Sequence, residues 1–347
     1  MSTPEALTIP AGRVNEQLAL VLAEHRAEWE KLDPLLGETI DLLSTLVLAG
    51  GKRVRPAMAY WGFVGAGGDE TDPAIIRLGA ALELLQAFAL FHDDVMDGSP
   101  TRRGQPTAHV QGITEHEANS WGGEARRYGE SVAILAGDVS LVLSDVQLAD
   151  ANADVRRLWN DLRIEVNLGQ FLDVVGTARG DIELATAERI IEYKTARYTI
   201  VRPLQMGAAL TGRNDLEESL AKIGRPLGIA FQLRDDLLGV FGESAMTGKP
   251  VGDDLREGKP TPLLARARES ATETQAELLG LVGTDLTKAQ VEAMQLVLVE
   301  TGAVADVEAQ IIELTNEALD AIERTSLAGS ANVHLTEIAR FLAARSS

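Results

Sequence analysis

The 347-residue chain contains no cysteine. Disulfides, thiolate nucleophiles and thiolate metal sites are thereby excluded, and a reducing, cytoplasmic setting is the expectation. Positive charge is scarce: 32 Lys and Arg stand against 52 Asp and Glu, a net charge of −20. Such a surface repels phosphate backbones, so nucleic acid is not an expected partner. No basic segment followed by an apolar stretch opens the chain, which speaks against a secretory signal. A transmembrane segment is not expected, because the most apolar stretch, residues 80–91, is interrupted by Glu83 and Gln86. Clean two-residue alternation is missing too, so no strands are expected. There is no fixed-period repeat and no low-complexity tract.

What fills the chain is a helical pattern, rich in Ala, Leu and Glu, with apolar residues recurring every three or four positions. The expected helices run over 15–31, 36–49, 54–66, 73–98, 130–149, 152–178, 182–211 and 215–242, with four or five shorter ones to the C-terminus. Gly67-Gly68, Gly98 with Pro100, Gly180, Gly212 and Gly242 mark stops. Loops are expected at 98–130, 242–262 and Gly50-Gly51. An all-α protein of one domain over 1–347, with 1–14 as a flexible N-terminal segment, is the resulting picture.

Two acidic clusters stand out. In Asp93-Asp94-Val95-Met96-Asp97, Asp93 and Asp97 are four apart and share one helix face. Paired like charges there call for a cation, and hard carboxylate oxygens suit magnesium, which bridges to substrate phosphates. Asp94 points about a hundred degrees away. By itself the cluster fits a solvated acidic helix end equally well. The second cluster, Asp235-Asp236, closes another apolar helix before a second loop. Two such clusters facing one another can clamp magnesium around a diphosphate.

Cations flank both clusters. Lys52, Arg53 and Arg55 crowd one turn, Arg102 and Arg103 follow the first aspartates, and Lys194 precedes Thr195. Lys249 and Lys259 lie in the loop after the second aspartates. In so acidic a protein, grouped cations beside metal-binding carboxylates point to anion sites, with Arg forks and Lys point charges the usual phosphate partners.

Together, GGKRVRP at 50–56, HDDVMDGSPTRRGQPTAH at 92–109, ILAGD at 134–138, YKT at 193–195, FQLRDDLLGVFG at 231–242 and GDDLREGKPTPLL at 252–264 resemble the trans-isoprenyl (polyprenyl) diphosphate synthase family. The resemblance implies an isoprenoid synthase type helical bundle around a deep central cavity, usually a homodimer. It implies magnesium, two or three ions per active site, on Asp93, Asp97 and Asp235, with Asp94 and Asp236 in support. Lys52, Arg55 and Arg103 would hold isopentenyl diphosphate, with Gln86 where many members place a His. Arg102, Lys194, Lys249 and Lys259 would hold the allylic diphosphate (dimethylallyl, geranyl or farnesyl). Thr195 and Gln232 would stabilise the cation at the reacting carbon.

Product length is implied in the same way. Ala89 lies one turn below Asp93, and Phe88 beside it is about 7–8 Å from Asp93 along the helix axis. An aromatic there often acts as a cavity floor in this family. With no insertion inside DDVMD, the pattern resembles geranylgeranyl-type synthases; farnesyl or longer products are the alternative. Gly239 departs from the pattern, standing where many members carry the third aspartate of the second motif, and Gln105 replaces a frequent basic residue. Residues 111–128 form a longer link than usual and are expected to be a surface loop. A class I terpene cyclase fits less well, because Asn160-Asp161 and Asn214-Asp215 do not continue into its second metal motif. A non-catalytic synthase subunit also fits less well, since both aspartate pairs are kept.

Overall fold

Asp and Asn side chains cap the starts of three of the helices. In the computed structural model, which describes residues 3–102, 104–180, 183–242 and 251–344, Asp33 accepts from the Leu35 amide ahead of Pro34, and Asp72 accepts from the Ala74 amide ahead of Pro73. Asn152 accepts from the Val155 amide. Each satisfies an amide that the first helical turn leaves open, and Pro at the first position loses nothing there.

The chain order is α1 (Glu5–Trp29), α2 (Pro34–Leu48), α3 (Val54–Gly65), α4 (Pro73–Asp97), α5 (Ala108–Ala118), α6 (Ala125–Gln147), α7 (Ala153–Arg179) and α8 (Leu184–Ile190). A π-helical segment (Ile191–Val201) leads into α9 (Arg202–Leu210) and α10 (Glu217–Phe241). Then come α11 (Asp253–Glu257), α12 (Pro262–Ser270), α13 (Glu273–Leu279), α14 (Lys288–Glu300), α15 (Ala303–Arg324) and α16 (Ala331–Ala344). Among the described residues the architecture is all-α apart from one two-residue strand pair.

Helix α4 packs along α6, α3 on α9, and α10 between the π segment and α15. Two apolar clusters result, and α10 joins them. Its Leu220, Ile223 and Leu227 enter the larger one, and Leu233, Leu237 and Val240 enter a smaller one with α12, α14 and α15. Helix α4 is long and apolar enough by composition to cross a membrane, but most of that stretch is buried inside the protein. Glu83, which interrupts it, is buried and paired with Arg53.

Four expectations need correction. Residues 5–14 are not a flexible lead-in but the start of α1, with Ala6, Leu7 and Val14 buried. The link at 111–128 is not all loop: α5 packs on α6 and ends within it. Its buried positions are Ala108, His109, Gly112 and His116, small or polar residues that leave no apolar stripe to read. A two-residue antiparallel pair, β1 (Thr101–Arg102) with β2 (Gln105–Pro106), does occur, too short to show alternation. The helix expected at 182–211 is interrupted by the π segment, where tight packing sets the path. A Cβ on Gly169 of α7 would come within 2.5 Å of the Lys194 backbone nitrogen, and one on Gly228 of α10 within 2.5 Å of the Ala196 Cα. Only glycine admits the wider helix so close on both sides.

Candidate active site

The C-terminal end of α4, the adjoining hairpin, α7, the π segment, α10 and α11 supply one cluster of charges. Lys194 reaches from the π segment to Asp93 Oδ1 at 3.2 Å and also hydrogen-bonds Asp173 of α7. Gln170, one turn before Asp173, donates to the same Asp93 oxygen at 3.0 Å. Arg102 donates through Nε to Asp94 Oδ1 at 2.8 Å and approaches Asp93 Oδ2 at 3.5 Å. Lys259 lies 3.9 Å from Asp97 Oδ2, 3.6 Å from Asp254 and 2.8 Å from Glu257. A cleft of about 260 Å³, lined by Met96, Asp97, Asp173, Val174, Thr177 and Lys259 among others, opens here. A larger cleft of about 990 Å³ lies elsewhere, along Leu319, Val333, Arg340 and Phe341, and shares no residue with these charges.

Burial strains the carboxylates unequally. It would push Asp93 up, but Lys194, Lys259 and Arg102 outweigh it and hold that carboxyl below its ordinary value. Asp97 is pushed up to about 7, by burial first and then by Asp93. Asp94, buried beside them, is raised by burial despite Arg102. Asp93 therefore keeps its charge most firmly, and its neighbours most need a cation.

Thr195 Oγ1 of the π segment donates to Gln232 Oε1 of α10 at 2.6 Å, and Gln232 Nε2 donates to Asp236 Oδ1 at 2.8 Å. Asp236 is 4 % exposed, and its Oδ2 is buried with no hydrogen-bond partner among the described residues. Burial pushes it up to about 7. Asp235 precedes it on the same helix.

These features fit magnesium. All the donors are hard oxygens, and a buried carboxylate oxygen is left unpartnered. Among the described residues no three carboxylate or imidazole groups form a closed metal cage. Magnesium commonly uses one or two carboxylates and takes the rest of its shell from water and substrate phosphate.

A second set of groups lies around the start of α3. Arg55 donates to Thr199 Oγ1 at 3.0 Å and stacks over Tyr198 at 4.3 Å, and its Nε is buried without a partner among the described residues. Tyr198 donates to Gln86 Oε1 at 2.8 Å, joining Gln86 to Arg55. Lys52 lies 5.6 Å over the Phe341 ring. Arg53 is different in kind: it is buried against Glu83, the Val47 carbonyl and Asn15. It starts α3 with φ +48° and serves the core. Phe88 is half-buried, its ring 4.6 Å from His92, whose Nε2 meets the Ile134 carbonyl of α6 at 3.1 Å. Ala89 adjoins it on α4. Arg103 and Lys249 lie outside the described residues.

Sequence reasoning missed Gln170 and Asp173. Their signal was present: two polar residues three apart on one face of α7, just after the glycine on which Lys194 packs. The Asn-Asp pairs that would have served a cyclase sit elsewhere. Asn160 accepts from Arg163, and Asn214 donates to Asp154.

A family profile described as polyprenyl synthetase matches residues 38–298. The chain is 31 % identical over 289 residues to the geranylfarnesyl diphosphate synthase of Aeropyrum pernix, covering 80 % of this chain and 85 % of that one. It is 34 % identical over 278 residues to the short chain isoprenyl diphosphate synthase of Methanothermobacter thermautotrophicus, covering 77 % and 79 %. The crystal structure of geranylgeranyl pyrophosphate synthase from Corynebacterium glutamicum, complexed with isoprenyl diphosphate and magnesium, superposes with a TM-score of 0.92 at 34 % identity. The match covers 99 % of this chain and 100 % of that one.

Proposed function

The chain belongs to the polyprenyl synthetase family of trans-isoprenyl diphosphate synthases, and from that premise we propose that it makes geranylgeranyl diphosphate with magnesium held by its two aspartate clusters. That it is a trans-prenyltransferase joining isopentenyl diphosphate to allylic diphosphates follows from the family. The product is our reading, because the relatives' names run from short-chain and geranylgeranyl to geranylfarnesyl. The single observation that carries the site assignment is the set of ion pairs among Asp93, Asp94, Asp97, Asp173, Lys194, Lys259 and Arg102, with Asp97, Asp173 and Lys259 lining the cleft.

In this reading Asp93, Asp97 and Asp235 hold two or three magnesium ions, with Asp94 and Asp236 behind them. Magnesium, when bound, neutralises charge gathering on the departing allylic diphosphate. Lys194, Arg102 and Lys259, with Lys249, add fixed positive charge at the same oxygens. Lys52, Arg55, Arg103 and Gln86 hold the second diphosphate. The unpartnered Nε of Arg55 supports that role, since a buried guanidinium with a spare donor suits an incoming anion.

The C–O bond of the allylic substrate breaks with its electron pair leaving on diphosphate. The double bond of isopentenyl diphosphate then attacks the allylic carbon, and loss of a proton restores a double bond one isoprene unit further on. The leaving diphosphate is a sufficient base. Thr195 spends its proton on Gln232, which leaves its oxygen lone pairs for a cationic carbon nearby. Phe88 closes the channel for the growing chain.

We read residues 1–347 as one catalytic domain, since α10 ties both apolar clusters together. A homodimer is supported by an apolar face on α6 and α7, where Leu135, Val142, Val146, Ile164, Leu168 and Phe171 are each half or more exposed. A chain without cysteine suits the cytoplasm.

Purified protein incubated with magnesium, isopentenyl diphosphate and each allylic diphosphate in turn should yield mainly a C20 product. A dominant C15 or C25 product overturns the product assignment. Failure to consume isopentenyl diphosphate with any primer overturns the site assignment.

A further inference from the structure

The second aspartate cluster carries a gap at Gly239, and the tertiary structure fills that gap from elsewhere. A Cβ built on Gly239 would lie 1.8 Å from Oδ2 of Asp254 and 2.4 Å from its Cγ. The Asp254 carboxylate thus occupies the volume that a side chain at position 239 would need. It arrives on α11, fifteen residues downstream, and Lys259 lies 3.6 Å away. Asp236 and Gly239 are three apart on α10 and share a face. That face therefore presents the buried Asp236, whose Oδ2 has no partner among the described residues, beside the carboxylate of Asp254.

We infer that Asp254 is the third carboxylate of the second cluster, supplied from α11 in place of position 239, and that it helps hold magnesium on the substrate diphosphate. The inference rests on the reading that Asp235 and Asp236 face magnesium. It adds a residue to that site and explains why glycine is compatible with it. The carboxylate also fills the space beside the Gly239 backbone. A side chain at 239 that displaces it should therefore act like its removal.

The test is calorimetric binding of magnesium to the full chain in the presence of inorganic diphosphate, with folding followed by circular dichroism. Asp254→Asn keeps the shape and removes the charge. It should weaken magnesium binding about 10-fold or more. Gly239→Ala should do the same by pushing the carboxylate aside. The two losses should not multiply when combined, because both remove one interaction. Moving the carboxylate back, in the Gly239→Asp/Asp254→Gly double variant, should restore affinity to within a few-fold of the parent. That exchange decides the matter even if a single variant misfolds.

Unchanged affinity in Asp254→Asn, or losses that multiply, or an exchange variant that folds but does not recover, overturns the inference while leaving the parent site intact. A parent protein that shows no magnesium-dependent diphosphate binding overturns the underlying site assignment as well.

Discussion

Lys194 places its ammonium 3.2 Å from Asp93, a residue 101 positions earlier in the chain. The same ammonium is bound by Asp173, so one cation from the π segment ties the end of α4 to the C-terminal half of α7. Replacing it with Met leaves two buried carboxylates without their shared partner and removes a charge from the diphosphate site. Turnover should fall on the order of 10²–10³-fold, with the helical signal in circular dichroism retained. Loss within a factor of three would argue that Lys194 only braces the helices.

Gly169 makes that reach possible. A Cβ there meets the Lys194 backbone, which cannot rotate away as a side chain can. Gly169→Ala should lower stability by about 1–3 kcal/mol and reduce turnover by displacing the ammonium. Thermal unfolding and steady-state rates together check this; an active variant with an unchanged melting temperature would refute it.

Neighbouring cations should separate cleanly. Arg53 is 5 % exposed and Glu83 8 %, and removing one partner of such a buried pair costs about 3–5 kcal/mol. Arg53→Ala is expected to depress the melting temperature strongly. Lys52→Ala should instead leave stability nearly unchanged and raise KM for isopentenyl diphosphate. The opposite pattern would reverse the two roles.

Phe88→Ala opens space on α4 beneath the aspartates. Its products should shift to longer chains, resolved by chromatography of the dephosphorylated alcohols. The same distribution as the parent would remove Phe88 from the control of length.

Chelation gives the last check. Dialysis against EDTA should abolish prenyl transfer, and added magnesium should restore it. Diphosphate should raise the melting temperature only when magnesium is present. Stabilisation by diphosphate without the metal would mean the cations alone hold the anion.

The amino-acid sequence by itself determined the helical class, the long helices at α3, α4, α7 and α10, and the residues of the two aspartate motifs. Those features are local: apolar spacing, caps and short spacings along one helix are complete within a few turns. Tertiary packing alone decided the rest. It assigned Arg53 to the core and left Lys52 and Arg55 to the second group of cations, a division that three adjacent cations cannot reveal. It brought in Gln170 and Asp173, whose purpose is visible only once Lys194 lies across them. It widened one helix into a π segment, because glycines on two other helices let that segment approach. It buried α5 through small and polar residues that carry no apolar period. It also set the carboxylate of Asp254 where Gly239 has no side chain, since proximity between distant segments depends on how helices cross rather than on what either segment spells.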